Sequence, residues 1–246
     1  MNPIATVDGS NTLFSTQYNQ HYHNIDDGAI HESLSKHIIP AFKFHQDKDE
    51  LNILDICFGL GYNTLSTLYY IKKNNLNKRI NIFSPELNKK LVNELKDFVY
   101  PKEFDDLKDI IYQLSTNKYY KNEQFEITIY IGDARDYLEK LNLKFDVIYQ
   151  DAFSSDVNYE LWTKEYFDLL YKLSNENTII TTYSIATPVR LSIYEAGFII
   201  YQDIPIKRKI TLAFRKKQNK IGKYVDMELK KQRNKKACAL YDDIIR

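Results

Sequence analysis

Apolar runs of four to eight residues alternate with amphipathic stretches from residue 51 onward. The runs are rich in Ile, Val, Tyr and Phe, as buried strands usually are. We expect strands at 51–56, 80–84, 126–131, 145–150, 178–183, 198–203 and 209–214. The stretches between them predict helices over 63–73, 86–98, 134–141, 162–173 and 189–196. Gly197 should end the last helix.

This alternation indicates a mostly parallel sheet with helices on both faces. Only residues 204–208 join the last two predicted strands. That connection is too short for a crossover helix, so these strands should form an antiparallel hairpin. The predicted fold is therefore α/β and Rossmann-like, with a seven-stranded, mostly parallel sheet and a C-terminal antiparallel hairpin.

The length of 246 residues suits one large domain, or one domain with an appendage. Residues 1–50 are polar and aromatic and do not follow the alternation; they predict short antiparallel strands and a helix near 29–42. We divide the chain into an N-terminal extension (1–50) that packs on the catalytic domain, the domain itself (51–215), and a basic C-terminal helix or tail (216–246), with helix expected over 222–246.

Composition excludes several classes of protein. The chain has 43% apolar and 27% charged residues, which is ordinary for a globular protein. Its two cysteines, Cys57 and Cys238, exclude a disulfide framework. No apolar run reaches 18 residues and the first ten residues are not a secretory signal, so we expect a cytoplasmic protein without a membrane span. The N-terminal histidines lack a Cys or carboxylate partner set, so no metal is expected.

The net charge of +1 hides an asymmetry along the chain. Residues 205–246 hold 14 Lys and Arg against 4 Asp and Glu, whereas the first 204 residues hold 20 against 29. A basic segment on an acidic body is typical of contact with a polyanion such as RNA, or with an anionic membrane surface. A solvated tail without a partner is the alternative.

A glycine-containing loop follows the first predicted strand. The strand ends in Asp55, and Gly59 and Gly61 follow. In open α/β sheets the ligand lies over such a loop. Thr64 stands where a dinucleotide fingerprint needs its third glycine, and an acid before the glycines suits a cation better than a phosphate. The D-x-x-x-G-x-G spacing fits S-adenosylmethionine (SAM), which carries a sulfonium and an ammonium; a plain strand–helix turn is the alternative.

Two further acids follow the next two strands. Glu86 lies 25 residues after Gly61, where a carboxylate can accept both ribose hydroxyls. Asp133 could accept from the exocyclic amine of adenine. Each acid could instead be a residue that starts a helix. Acids at three consecutive strand ends nevertheless favour one shared nucleoside ligand.

Asp151 and Phe153 lie at the C-terminal end of the fourth predicted strand. Methyl transfer to an amine needs an unprotonated nitrogen held roughly 3–3.5 Å from the methyl carbon, with water excluded. Asp151 could orient that amine and take its proton, directly or through water. Phe153 could supply an apolar or cation-stacking wall. A helix-capping role for Asp151 is the alternative.

These features together resemble a known family. Over roughly residues 5–215 the chain is similar to the methyltransferase domain of the bifunctional tRNA 5-methylaminomethyl-2-thiouridine biosynthesis protein and to its stand-alone relatives. The segments that carry the resemblance are Asp8–Tyr18, Tyr22-His23, Gly28–Ser33, Phe58–Gly61, Ser84–Glu86, Gly132–Arg135, Asp151–Phe153, Leu161–Thr163, Thr182–Ser184, Val189-Arg190 and Glu195–Phe198.

The resemblance implies a Rossmann-like class I SAM-dependent methyltransferase. Its cofactor is SAM, and its partner is a tRNA whose wobble uridine, in the anticodon loop, is methylated on the aminomethyl group. The candidate cofactor residues are Asp55, Phe58, Gly59, Gly61, Glu86, Asp133, Ala134 and, from the N-terminal segment, Glu32. The candidate catalytic residues are Asp151 and Phe153.

The chain departs from the family in two respects. The family often has Asp-Gly-Phe-Ala-Pro after the fourth strand, where this chain has Asp-Ala-Phe-Ser-Ser155. We also expect a stand-alone version without the flavin-dependent oxidase domain, so that a separate enzyme supplies the free amine.

Two other functions remain open. A polyamine aminopropyltransferase relative, or a methyltransferase of small amines, would share the fold and the acid after strand four. The basic segment disfavours the first of these, because polyamines are cations. A non-catalytic RNA-binding module on a degenerate fold would explain the basic segment and the altered Ser154-Ser155 loop.

Overall fold

The computed structural model describes residues 1–206 and 208–244. The strands, in chain order, are β1 (Ile4–Ala5), β2 (Asn11–Thr12), β3 (Phe14–Ser15), β4 (Gln20–His21), β5 (Glu50–Ile56), β6 (Arg79–Glu86), β7 (Tyr119–Lys121), β8 (Phe125–Ile131), β9 (Phe145–Gln150), β10 (Ser174–Thr182), β11 (Ile199–Asp203), β12 (Ile210–Phe214) and β13 (Lys223–Tyr224). The α-helices are α1 (Ala29–Ser33), α2 (Ile39–Phe44), α3 (Tyr62–Lys73), α4 (Lys89–Glu94), α5 (Lys108–Asn117), α6 (Ala134–Lys140), α7 (Lys164–Lys172), α8 (Thr187–Glu195) and α9 (Met227–Arg233). A π-helical turn, Leu34–Ile38, joins α1 to α2, and 3-10 turns cover Leu95–Asp97, Lys102–Leu107, Tyr159–Leu161 and Asp242–Ile244.

Within the described residues, nine strands form one sheet in the order β13-β11-β12-β10-β9-β5-β6-β8-β7. The five central strands, from β10 to β8, are parallel. β12 pairs antiparallel with both β10 and β11, which confirms the predicted hairpin. The α/β class and the mostly parallel sheet are thus confirmed.

The sheet has two more strands than the seven predicted. β7 and β13 are three and two residues long and pair antiparallel at the two edges. Their residues are mostly exposed, so they lack the apolar run by which the buried strands were predicted. The helix α5 was likewise not assigned from the sequence.

The core has two layers, one on each face of the sheet. Along the central strands neighbouring residues alternate between the layers: Ile53 and Val147 belong to one, and Leu54 and Ile148 to the other. This alternation follows from the strand period of two. The first layer packs against α1 to α5, and the second against α6, α7 and α8. All four strand residues are inaccessible to solvent.

The N-terminal segment packs onto the first layer. β1 pairs with β2 and β3 with β4, both antiparallel, as predicted. Ile38 and Phe42, from the helical stretch 29–44, are buried in this layer. Residues 1–50 therefore share a core with the sheet, and the domain boundary at residue 50 stays a prediction.

The C-terminal helix is shorter than predicted. α9 covers only Met227–Arg233, because Met227 is the one buried residue of a helix otherwise rich in charge. Residues after it run in irregular backbone across the second layer. There the carbonyl oxygen of Leu240 accepts from the backbone N–H of Lys164 at 2.7 Å, and Asp242 pairs with Arg135. The predicted helix over 222–246 extends beyond the described residues. Of the basic residues counted from position 205 onward, Lys207 and Arg246 lie outside the described residues.

None of the helices in the described ranges combines the length and the apolar character that crossing a bilayer requires.

Candidate functional site

A cleft of about 1210 Å³ lies at the carboxyl ends of the parallel strands. The loops after β5, β6, β8 and β9 line it from below, and residues 13–26 line it as a roof. This is where open α/β sheets bind their ligands. Eight of the ten candidate residues line this cleft: Glu32, Phe58, Gly59, Glu86, Asp133, Ala134, Asp151 and Phe153.

The loop after β5 folds through three left-handed residues. Cys57, Gly59 and Gly61 have φ of 66°, 55° and 76°. Gly61 itself lies outside the cleft lining, and its role is the turn: a Cβ there would lie 2.9 Å from the ring of Phe58. Left-handed Cys57 is unusual for a residue with a side chain, and such strain is often found at ligand sites.

Glu86 links two backbone segments of the cleft. Its Oε2 accepts from the N–H of Gly59 at 2.8 Å and its Oε1 from the N–H of Asn88 at 2.8 Å. Burial raises the pKa of this carboxyl, and the N–H donors of Asn88 and Gly59 oppose that rise. Each oxygen has room for a second hydrogen bond, so the carboxylate can accept from a pair of ligand hydroxyls.

Asp133 is the N-cap of α6 as well as a cleft residue. Its Oδ1 accepts from the N–H groups of Arg135 at 2.8 Å and Asp136 at 3.4 Å. The helix-start role considered from the sequence is therefore present. Both contacts use Oδ1, and the side chain is exposed, so Oδ2 can serve a ligand as well.

Asp55 lies under the loop and not in the cleft lining. It is fully buried, and it accepts from Thr64 Oγ1 at 2.8 Å and from Asn63 Nδ2 at 3.3 Å. Burial raises its pKa to about 8. The predicted direct contact between Asp55 and a cationic ligand is thus not supported by its position; Asp55 instead fixes the start of α3 from below.

Asn63 joins Asp55 to Asp151. The same Nδ2 donates to Asp151 Oδ2 at 2.9 Å. Because Asn63 Nδ2 donates to both carboxyl groups, the orientation of the amide is determined, and Asn63 Oδ1 is turned away from both. Asn63 Oδ1 is buried without a hydrogen-bond partner among the described residues, and Asn63 lines the cleft.

Asp151 faces a buried histidine on its other side. His37 Nε2 lies 3.4 Å from Asp151 Oδ1, and His37 Nδ1 lies 2.8 Å from Thr181 Oγ1. Burial raises the pKa of Asp151, whereas the charge that His37 carries when it is protonated and the donor from Asn63 lower it, and overall the pKa is below its usual value. Asp151 therefore stays ionised in the cleft.

The loop after β9 is fixed by three side chains. Trp162 Nε1 donates to the carbonyl oxygen of Phe153 at 2.7 Å, and the Tyr183 hydroxyl donates to that of Ala152 at 2.9 Å. Gln20 Nε2 donates to Ser154 Oγ at 2.7 Å, and Trp162 is fully buried beneath the loop. These bonds hold the loop in place although it lacks the proline found in the family.

An aromatic cluster joins the roof to this loop. The ring of Tyr18 stacks on Phe153 at 4.5 Å, and Tyr22 meets Phe153 edge-on at 5.1 Å. Tyr22 also covers Gly59, where a Cβ would lie 3.2 Å from its ring. Glu32, in the cleft wall, accepts from the N–H of Asn24 at 2.8 Å and so ties the end of the roof to α1.

The chain is similar in sequence and in fold to several known proteins. The family of S-adenosyl-L-methionine-dependent methyltransferases matches residues 104–216. An uncharacterized protein of Methanocaldococcus jannaschii is 31% identical over 219 residues, which are 86% of this chain and 59% of that protein. The tRNA 5-methylaminomethyl-2-thiouridine biosynthesis bifunctional protein MnmC of Azoarcus sp. is 28% identical over 201 residues, 76% of this chain and 31% of that protein. The crystal structure of MNMC2 from Aquifex aeolicus superposes with a TM-score of 0.80 at 30% identity, covering 94% of this chain and 74% of that one.

The chain belongs to the MnmC family of SAM-dependent methyltransferases. The family named from the sequence motifs is thus confirmed, as is SAM as the cofactor of the family. The chain spans 59% of the M. jannaschii protein and about a third of the bifunctional MnmC proteins.

The cleft of this MnmC-family chain fits SAM. Asn63 Oδ1, a buried acceptor that has no hydrogen-bond partner in the described part of the chain, is a suitable partner for an ammonium group. Glu86 and Asp133 present carboxylate oxygens at two neighbouring strand ends, and Asp151 adds negative charge at a third. An acidic cleft whose oxygens can accept further hydrogen bonds suits a ligand that carries two positive charges and several hydroxyl and amine donors.

Two polar residues of the cleft, Asn63 and His37, were not identified as site residues from the sequence. Asn63 follows the glycine loop by two residues, and its position at the start of α3 is the signal that was available. His37 lies in the helix predicted near 29–42, but nothing in one sequence shows that the middle of this helical stretch lies beside Asp151. In the described part of the chain, no group of three or more His, Cys, Asp or Glu side chains is arranged to hold a metal ion.

Proposed function

We propose that this MnmC-family methyltransferase methylates the aminomethyl group of 5-aminomethyl-2-thiouridine at the wobble position of tRNA. The observation that carries the proposal is Asp151, which stands ionised between Asn63 and His37 in the same cleft as Glu86 and Asp133. A carboxylate there suits an amine acceptor, and the related MnmC proteins are named for the biosynthesis of a methylaminomethyl uridine.

Four residues would hold SAM in this cleft. Glu86 would accept from the ribose hydroxyls, Asp133 from the adenine amine, and Asn63 Oδ1 from the ammonium group. Gly59 would line the nucleoside side of the cleft with backbone alone, since a Cβ there would lie 3.2 Å from the ring of Tyr22. When bound, SAM supplies an electrophilic methyl group: the acceptor nitrogen forms the new N–C bond while the C–S bond breaks and leaves its electron pair on sulfur.

Asp151 would orient the acceptor amine. Its side chain is 23% exposed, so an oxygen can reach a ligand in the cleft while Asn63 holds the other. Phe153 would form the wall beside the acceptor, and the aromatic cluster around it would exclude water from the reacting atoms. Exclusion of water strengthens the attraction between carboxylate and amine.

The basic C-terminal segment would contact the tRNA backbone. Lys217, Lys220, Lys235 and Lys236 are exposed, and within the described residues none of them has a carboxylate within 4 Å. Lys216 and Lys231 instead pair with acids of the body. Neutralised phosphates should give tRNA binding a strong salt dependence, with a log–log slope of roughly −0.7 to −0.9 per phosphate.

A labelling experiment tests the proposal. Purified protein with SAM labelled on the methyl group should transfer label to tRNA bearing 5-aminomethyl-2-thiouridine, and nucleoside analysis should find the label on that uridine alone. The Asp151→Asn variant should bind SAM and tRNA normally and lose most of the rate. tRNA with an unmodified wobble uridine serves as the control substrate.

Three results would contradict the proposal. Protein shown by calorimetry to bind SAM could leave the modified tRNA unlabelled. Label could instead pass to small amines such as putrescine. Label could also enter both tRNAs equally, which would mean that the aminomethyl group is not the acceptor.

A further inference from the structure

The acceptor has to lose a proton before methylation, and the residue that receives it is not obvious. An alkylammonium group is protonated at neutral pH and has no lone pair for the methyl carbon. Asp151 is the acceptor that faces the amine in the proposed arrangement, but a carboxylic acid is a far stronger acid than an alkylammonium, so a carboxylate alone retains the proton poorly. A second group has to hold the proton while the amine reacts.

We propose that His37 is the residue that holds this proton, receiving it from the acceptor ammonium by way of Asp151. This inference rests on the function proposed above. His37 acts through Asp151 and is therefore a positioning residue and proton store. An imidazole is suited to the task because it gains and loses protons near neutral pH.

The distances around His37 support a neutral ring whose Nε2 carries no hydrogen and faces the carboxylate of Asp151. His37 Nδ1 lies 2.8 Å from Thr181 Oγ1, a hydrogen-bond distance, whereas Nε2 lies 3.4 Å from Asp151 Oδ1 and has no hydrogen-bond partner among the described residues. A charge-assisted N–H to carboxylate bond would be roughly 2.7–2.9 Å long. The observed distance is longer than such a bond, and we assign the ring hydrogen of the neutral imidazole to Nδ1, where it donates to Thr181 Oγ1.

The location of His37 favours a functional role over a packing role. The side chain is almost inaccessible to solvent, yet it lines the cleft. It is carried by the π-helical turn Leu34–Ile38, and single π turns inside helices are frequent at functional sites. The titratable and charged groups around it are Asp151 and Tyr149 on the β9 side, His23 and Tyr183 in the cleft wall, Asp55 behind Asn63, and Lys36 with Glu32 on its own helical stretch.

The proton balance is complete within the site. The ammonium proton passes through Asp151 to His37 Nε2, which leaves a neutral amine with its lone pair free. After methyl transfer the positive charge is on the new secondary ammonium, and the imidazolium beside Asp151 returns its proton to solvent when the cleft opens.

Single-turnover rates of His37→Gln over a range of pH test the inference. Glutamine can keep the contact with Asp151 but cannot store a proton. We expect the rate at neutral pH to fall by roughly 100-fold or more. The loss should shrink as pH rises and nearly vanish above the pKa of the acceptor amine, while the affinity for SAM stays within about twofold of wild type. A loss that is the same at every pH, or an unchanged pH profile, would overturn the inference.

His45→Gln is the matched control. His45 is also buried, and its Nε2 contacts the carbonyl oxygen of Asp146 at 3.1 Å, at the opposite end of β9 from the cleft. This variant should keep the wild-type pH profile even if its stability falls.

A second measurement separates this inference from the proposed function, because it needs neither SAM nor tRNA. The ¹⁵N spectrum of the histidine side chains, assigned with His37→Gln, reports which ring nitrogen carries hydrogen. We expect hydrogen on Nδ1 in the neutral wild-type ring, and a shift toward Nε2 in Thr181→Val. Hydrogen on Nε2 in the wild type would overturn the inference whatever the substrate is. Failure of the wild-type protein to methylate the tRNA would overturn the proposed function alone.

Discussion

Burial of Asp55 should make the stability of the protein depend on pH in a predictable direction. The carboxyl lies under the glycine loop without access to solvent, and burial raises its pKa from 3.8 to about 8. A folded-state pKa above the unfolded one means that the folded protein binds the proton more tightly. The stabilisation is full below about pH 4 and is lost as pH rises through about 8.

The size of the effect follows from that pKa difference. Where the carboxyl is protonated in the folded protein and ionised in the unfolded one, the free energy of unfolding falls by about 1.4 kcal/mol for each unit by which pH rises. Between about pH 6 and about pH 8 the carboxyl should therefore cost roughly 2 kcal/mol of unfolding free energy. Asp55→Asn removes this pH-dependent loss. Its own cost is independent of pH and is roughly 1–2 kcal/mol, since the new amide faces the donor of Asn63.

The assay is urea unfolding of wild type and Asp55→Asn in parallel at several pH values. The difference between the two proteins isolates the carboxyl, because His23 and His45, whose pKa values burial lowers, favour stability as pH rises and contribute equally to both. The variant should be the less stable protein near about pH 4, should match wild type near about pH 5, and should gain roughly a further 2 kcal/mol relative to wild type between about pH 6 and about pH 8. Parallel curves would refute the argument, since they would mean that Asp55 is ionised throughout.

Three further substitutions test the cleft. Glu86→Gln should weaken SAM binding about tenfold or more, measured by calorimetry, because glutamine has one carbonyl oxygen for two backbone N–H donors and the ribose; unchanged affinity would remove Glu86 from the cofactor site. Gly61→Ala should lower the melting temperature through roughly 1–2 kcal/mol of left-handed strain plus the clash with Phe58, and a wild-type melting temperature would show that the loop can take another conformation. Trp162→Phe should cost roughly 2–3 kcal/mol in urea unfolding, through a cavity and the lost bond to the Phe153 carbonyl, and a cost below about 1 kcal/mol would contradict the anchoring role.

Sequence alone was sufficient for the buried central strands of the sheet. The central strands are apolar on both faces, so Ile53-Leu54 and Val147-Ile148 could be recognised without knowing the pairing. The edge strands β7 and β13 were missed, and α9 was predicted too long, because these elements lack such an apolar run. These elements bury little, and their formation depends on the partner they pair with or pack against.

Within the site, the sequence could place residues on strand ends but not describe their surroundings. Glu86 and Asp151 follow buried strands, and parallel strands end at one edge, so their convergence was predictable. Asp55 precedes the glycines in the same way, yet its side chain turns under the loop. His37 reaches Asp151 only through a contact 114 residues apart in the chain, which a single sequence does not encode in any periodic pattern.

The roof of the cleft has a consequence for the order of events in turnover. Tyr22 covers the glycine loop, while Tyr18 and Gln20 from the same hairpin region hold the loop after β9. One flap therefore spans both the nucleoside side and the acceptor side. Any movement that admits the acceptor to one side uncovers the other, so departure of the methylated product and exchange of the spent donor should occur in the same opening, and the two ligands should show ordered rather than independent kinetics.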